Sequence, residues 1–211
     1  MMRLPTRLFV LTLVALMPGA AVAQEAPTER RPPVREGLLF LGGFSAGLFL
    51  HEAAHLATGA ALGAHPRVDR LSIPLPFIVV HYDAVSRRRE FAIGSSGFWA
   101  QHLVSEWLLT ADPQLRRASA PVRKGLFAFG VVTSALYAVG AVAGTGPERD
   151  TRSIARSLGS NGVPEPAAGA LILAPAVLDV YRYYRPESRW APWASRALKL
   201  LSVGLVFSAG R

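Results

Sequence analysis

The chain is 211 residues long, 51% hydrophobic, and carries 23 Lys and Arg against 14 Asp and Glu, a formal net charge of +9. Its mean hydropathy of +0.28 is concentrated in long apolar runs with basic residues between them, the pattern of membrane helices joined by loops facing anionic lipid, so nucleic-acid binding is set aside. Cysteine is absent, which excludes disulfides, thiolate metal sites and cysteine nucleophiles, and leaves His, Asp and Glu to hold any metal.

Residues 1–23 read as a signal peptide: Arg3 and Arg7, an apolar stretch from Leu8 to Met17, then Ala21-Val22-Ala23 before Gln24. The alternative is an uncleaved signal anchor. Residues 24–36 are charged and proline-rich and should form an exposed linker. Residues 37–211 then make one integral membrane domain. From Gly37 to Gly63 the only side chains more polar than Ala are Ser45, His51, Glu52, His55 and Thr58, and the run is long enough to span a bilayer.

Residues 64–90 change character. Pro74 and Pro76 break a stretch rich in β-branched and aromatic residues that ends at Arg87-Arg88-Arg89, which reads as one or two short strands or an interfacial hairpin. Residues 91–110 are apolar enough to enter a membrane but include Gln101, His102, Ser105 and Glu106; they form a full span or a re-entrant helix. Further spans are expected at about 124–144, 167–185 and 195–210, with a polar connection at 145–166. The fold expected is an all-α polytopic membrane protein, a bundle of about four to five transmembrane helices with a short membrane-associated β-like loop. A multi-pass location in a bacterial inner membrane follows. With the mature N-terminus outside, the arginines of 64–90 fall in the cytoplasm, and a re-entrant 91–110 keeps Arg116, Arg117, Arg123 and Lys124 there too.

His51-Glu52-Ala53-Ala54-His55 fits the H-E-x-x-H pattern, in which histidines four apart share a helix face and bind zinc together. Zinc acidifies a bound water, and a carboxylate at the position of Glu52 takes its proton and passes it on to a leaving amine. An ionisable Glu in a spanning helix costs about 2.5–3.5 kcal/mol on insertion scales, so it calls for a partner, and a metal site would supply one. A catalytic zinc needs a third ligand. Asp179 is the candidate: it is the only acidic residue of 167–185, with Pro175 one turn before it. Parallel helices would also bring it to the depth of His51, since His51 lies roughly 21 Å from Gly37 and Asp179 roughly 18 Å from Ala167. The competing reading pairs Asp179 with Arg182, three residues on. His102 and Glu106 share a helix face and are either an alternative third ligand or a second polar cluster. A di-iron site would need more histidines than the five present.

These residues resemble the site-2 protease family of intramembrane zinc metalloproteases. That family has an HExxH helix followed by small residues and glycine, a β-like membrane loop, a Gly-x-x-x-Asn stretch, and a later helix with a Leu-Asp-Gly ligand motif preceded by proline. The matching stretches here are HEAAHLATGAALG, RVDRLSIPLPFIVVHYDAV, Gly97-Phe98-Trp99-Ala100-Gln101 and Pro175-Ala176-Val177-Leu178-Asp179, in the same order from about 45 to 185. Gln101 stands where the family has Asn, and Val180 where it has Gly. The resemblance implies hydrolysis of peptide bonds in a membrane-embedded protein substrate, with His51, His55 and Asp179 on zinc and Glu52 as general base. The alternative function is a non-catalytic membrane binding or scaffold protein that keeps the fold and the metal site.

Overall fold

Pro33 can open a helix because its fixed φ suits the first turn and its missing N–H would be unpaired there anyway, while Glu36 complements the positive helix end. The helix α1 runs from Pro33 to Ala61, so the end of the expected linker is already helical. The computed structural model describes residues 32–72, 77–144, 149–159 and 161–209; the expected signal peptide and most of the expected linker lie outside them. After α1 the chain reverses at Gly63, whose φ of +70° favours a residue without Cβ. It then forms an antiparallel hairpin, β1 (Arg67–Ser72) and β2 (Phe77–His81), pairing Arg67 with His81 and Val68 with Val80, with an irregularity before Arg70. The expected short strands are therefore present.

The rest is helical: α2 (Arg87–Ala111), α3 (Pro121–Ala143), α4 (Asp150–Ser157), α5 (Glu165–Tyr184) and α6 (Ala191–Gly204), followed by a 3-10 turn at Leu205–Phe207. Among the described residues two helices, α1 and α3, are long and apolar enough to cross a membrane. The others fall short for separate reasons. Helix α2 starts with three arginines and carries Gln101, His102 and Glu106; α5 holds Asp179 and Arg182; and α6 has 14 residues, about 21 Å of helix against a hydrocarbon core of about 30 Å.

Helices α1 and α3 pack at backbone distance. A Cβ at Gly43 would stand 2.1 Å from the Val122 carbonyl oxygen, one at Gly47 2.7 Å from the Phe129 ring, and one at Gly125 2.0 Å from the Phe40 carbonyl oxygen. Glycines four apart that admit a neighbouring backbone are the usual means of joining helices in lipid. The outward sides of both remain apolar, with Leu41, Phe49, Leu136, Val139 and Val142 exposed. Helix α3 packs on α1 with one side and on α5 with the other, while α2 lies against α1, α3, α4 and α5. The core forms around α2, where Phe91 and Phe98 meet Ile154 of α4 and Ile172 of α5.

Candidate metal centre

One turn of α1 separates His51 from His55, so both rings leave the same face, and that face is turned to α2. Both are buried. The close fit depends on Gly97: a Cβ there would stand 2.5 Å from His55 Nε2 and 2.6 Å from His51 Nε2, so the α2 backbone at this point lies directly on the imidazoles. The third group comes from α4. Asp150, the first residue of that helix, places Oδ2 3.4 Å from His55 Nε2 and 3.6 Å from His51 Nε2. The two Nε2 atoms are 3.1 Å apart.

These three distances describe a ligand cage. Metal–ligand bonds near 2.0–2.1 Å in a tetrahedral site put neighbouring ligand atoms roughly 3.3–3.4 Å apart. Charge-assisted hydrogen bonds between imidazolium and carboxylate would be shorter, about 2.7–2.9 Å. The hydrogen bonds behind the rings lead to the same conclusion. His55 Nδ1 lies 2.7 Å from the Ile93 carbonyl oxygen, a group that only accepts, so Nδ1 carries a proton. The Gln101 amide nitrogen donates to Ser134 Oγ at 2.8 Å and to the Gly130 carbonyl at 3.3 Å, which turns its Oε1 to His51 Nδ1 at 3.2 Å and makes that nitrogen a donor too. Two neutral rings protonated at Nδ1 present two Nε2 lone pairs to each other and to a carboxylate. A cation at the centre resolves that arrangement, and the three residues form the group able to hold a metal ion among the described residues.

Asp150 is held in place by its neighbours in sequence. Arg149 pairs with Glu165 at 2.7 and 2.8 Å, and Thr151 donates to the same carboxylate at 2.7 Å. Farther along α4, Ser153 and Arg156 reach Glu90 of α2, and Ile154 is buried in the core. Tyr137 of α3 lies close enough to the Asp150 carboxylate for the two to interact. Glu52 is half-buried and close enough for its charge to interact with His55 and Asp150.

The structure brings together His51, His55 and Glu52 of the expected site but not Asp179. Depth alone does not bring side chains together: α3 stands between α1 and α5. Asp179 is engaged elsewhere, accepting from Ser195 at 2.6 Å and pairing with Lys199 at 2.8 Å and Arg182 at 3.2 Å. Glu106 belongs to the same network, within 2.5 Å of Arg182, 2.8 Å of Arg196 and 3.0 Å of Lys199, so it is part of a second polar cluster. His102 is buried beside Ile172 and Ser202 and is not one of the residues of the metal group. Asp150 escaped notice because it lies in a connection that reads as polar. Its available signal was Ile154 four residues later, the apolar spacing of a short helix beginning at an acidic residue.

The described residues form a mostly helical protein with two helices long and apolar enough to cross a membrane and a His-His-Asp group able to hold a metal. Comparison with family models, with curated proteins and with solved structures finds no match.

Proposed function

We infer that the chain is an intramembrane zinc peptidase in which His51, His55 and Asp150 hold the metal and Glu52 handles the proton. The observation that carries this reading is the convergence of two Nε2 lone pairs and one carboxylate oxygen at cage spacing, with Glu52 adjoining them in an H-E-x-x-H helix. A zinc ion held by His51, His55 and Asp150 would supply Lewis acidity, lowering the pKa of water towards neutrality and polarising a carbonyl.

The protein's own residues do the rest. Gln101 and the Ile93 carbonyl fix both rings with Nε2 facing inward. The anchoring of Arg149 and Thr151 on Glu165 keeps Asp150 at the third position. Glu52 takes a proton from the attacking water and delivers it to the amine of the cleaved peptide. A membrane-spanning protein segment is the substrate class, since the histidines lie on α1, one of the two helices suited to a bilayer. The basic connections between apolar helices favour several passes through a bacterial inner membrane, and α2 returns across the depth of α1, since Gly43 meets Val122 and Gly47 meets Phe129, so that α1 and α3 run the same way.

The test is metal content together with processing. Purified protein should hold about one zinc per chain, and Glu52→Gln should retain it while accumulating an uncleaved membrane substrate in cells. Protein without stoichiometric zinc would overturn the reading at its first step. Zinc retained with unchanged processing in the Glu52→Gln protein would leave a non-catalytic metal-stabilised membrane protein.

A further inference from the structure

A second site lies away from the histidines, where the connection between α2 and α3 meets the end of α5. A cavity of about 290 Å³ opens there, and Arg116, Arg117, Arg185, Tyr183, Tyr184 and Glu187 are among its walls. Three guanidinium groups face one carboxylate. The Arg185–Glu187 pair is 3.7 Å apart with both side chains about two-thirds exposed, too open to cancel much charge. Arg117 makes no ion pair among the described residues.

The walls are fixed. Leu115 is fully buried and the connection is folded by the bonds Leu115 N–H to Asp112 O and Arg117 N–H to Gln114 O. Tyr183 stacks on Phe127 at 4.9 Å, and Arg116 lies over the Tyr184 ring at 5.7 Å. Phe127 is six residues into α3, so the cavity sits about 9 Å or less from the start of that helix, at the level where a span leaves the hydrocarbon. Tyr184 in the cavity wall is exposed, and so is Trp190, whose ring lies 5.3 Å from that of Tyr181; exposed aromatic side chains collect in this way at the headgroup boundary.

We propose that this cavity binds the phosphate of an anionic phospholipid headgroup. The proposal rests on the membrane part of the function above and is independent of peptide hydrolysis. Guanidinium groups match phosphate oxygens in pairs, and basic pockets beside spanning helices suit anionic headgroups. A net excess of positive charge in a half-enclosed space distinguishes phosphatidylglycerol, which bears a net negative charge, from phosphatidylcholine, whose choline cancels it.

The experiment uses the full chain in detergent micelles with equimolar phosphatidylglycerol and phosphatidylcholine, and native mass spectrometry to count bound lipid. Phosphatidylglycerol should be favoured about ten-fold. The triple variant Arg116→Gln, Arg117→Gln, Arg185→Gln should lose that preference, while Arg35→Gln, Arg88→Gln, Arg89→Gln, which removes the same charge elsewhere, should keep it. Melting temperatures confirm that both fold. Equal loss in the two variants would mean an effect of net charge alone and overturn the site. Displacement of the lipid by millimolar inorganic phosphate would assign the cavity to a free anion and overturn the lipid. A chain recovered in the soluble fraction of a carbonate wash would overturn the membrane reading itself, an outcome distinct from a membrane-bound chain with no lipid preference.

Discussion

Replacing Gly97 by Ala sets two effects of opposite sign against each other. In a helix interior, Ala is favoured over Gly by about 0.8–1.0 kcal/mol, so propensity alone predicts a more stable α2. The added Cβ, however, would lie 2.5 Å from His55 Nε2 and 2.6 Å from both Cε1 and Nε2 of His51. Ordinary contact begins near 3.4 Å, so both rings or the α2 backbone must move by roughly 0.9 Å, against a tolerance in metal–ligand distance of about 0.2 Å. Overpacking of this kind costs about 1–3 kcal/mol, enough to cancel the propensity gain without unfolding the bundle. The expected result is a helical protein with a melting temperature near that of the wild type and a zinc affinity lower by about a hundred-fold. Competition with a chromophoric chelator in detergent reads the affinity, and circular dichroism reads the fold. Wild-type zinc affinity in Gly97→Ala protein would refute the placement of α2 against the rings, and with it the geometry of the site.

Three more tests address the ligands and their supports. Asp150→Ala should cost zinc affinity by about a hundred-fold or more, whereas Asp179→Ala should leave zinc in place and lower the melting temperature, because Lys199 and Arg182 lose a buried partner. Gln101→Leu removes the acceptor that holds His51 by Nδ1 and should lower zinc affinity about 10–100-fold in the same chelator competition. Acid should loosen α4: Arg149 and Thr151 pull the Glu165 carboxyl down from 4.5 to about 2, so the stabilisation it adds is fully present above about pH 4.5 and lost as pH falls towards 2. Thermal melts of wild type and Glu165→Gln should therefore differ at pH 5 and converge as the pH approaches 2.

The parts of this molecule legible in the sequence are those fixed by local periodicity. His51 and His55 share a face because any helix puts residues four apart together, and the apolar runs of α1 and α3 exceed the length a bilayer needs. The strand-forming stretch around residues 67–81 became a hairpin. Gly97 and Gln101, four residues apart on α2, could be singled out as a motif, and both touch the histidines. Less was legible where the outcome depends on neighbours. The expected spans over α2, α5 and α6 counted apolar residues, yet the polar side chains of those helices are consumed by one another, as in the network joining Glu106, Asp179, Arg182, Arg196 and Lys199. That network also places two carboxylates against three cations.

The contrast between Asp150 and Asp179 identifies what a ligand search must weigh besides depth and spacing. Asp179 shares its helix face with Arg182 and meets Lys199 and Ser195 of α6, so its charge is compensated within the protein and a metal would have to displace those partners. The groups around Asp150 are of the other kind. His51 and His55 turn lone pairs to it, because the Gln101 amide oxygen and the Ile93 carbonyl already accept hydrogen bonds from their Nδ1–H groups. Negative charge and lone pairs converge there, with Glu52 adding a further carboxylate nearby. A buried site of that sign is costly until a cation enters. Of two carboxylates that both approach the bundle interior, the one surrounded by acceptors is the one able to hold a metal ion, and the one surrounded by donors is already compensated.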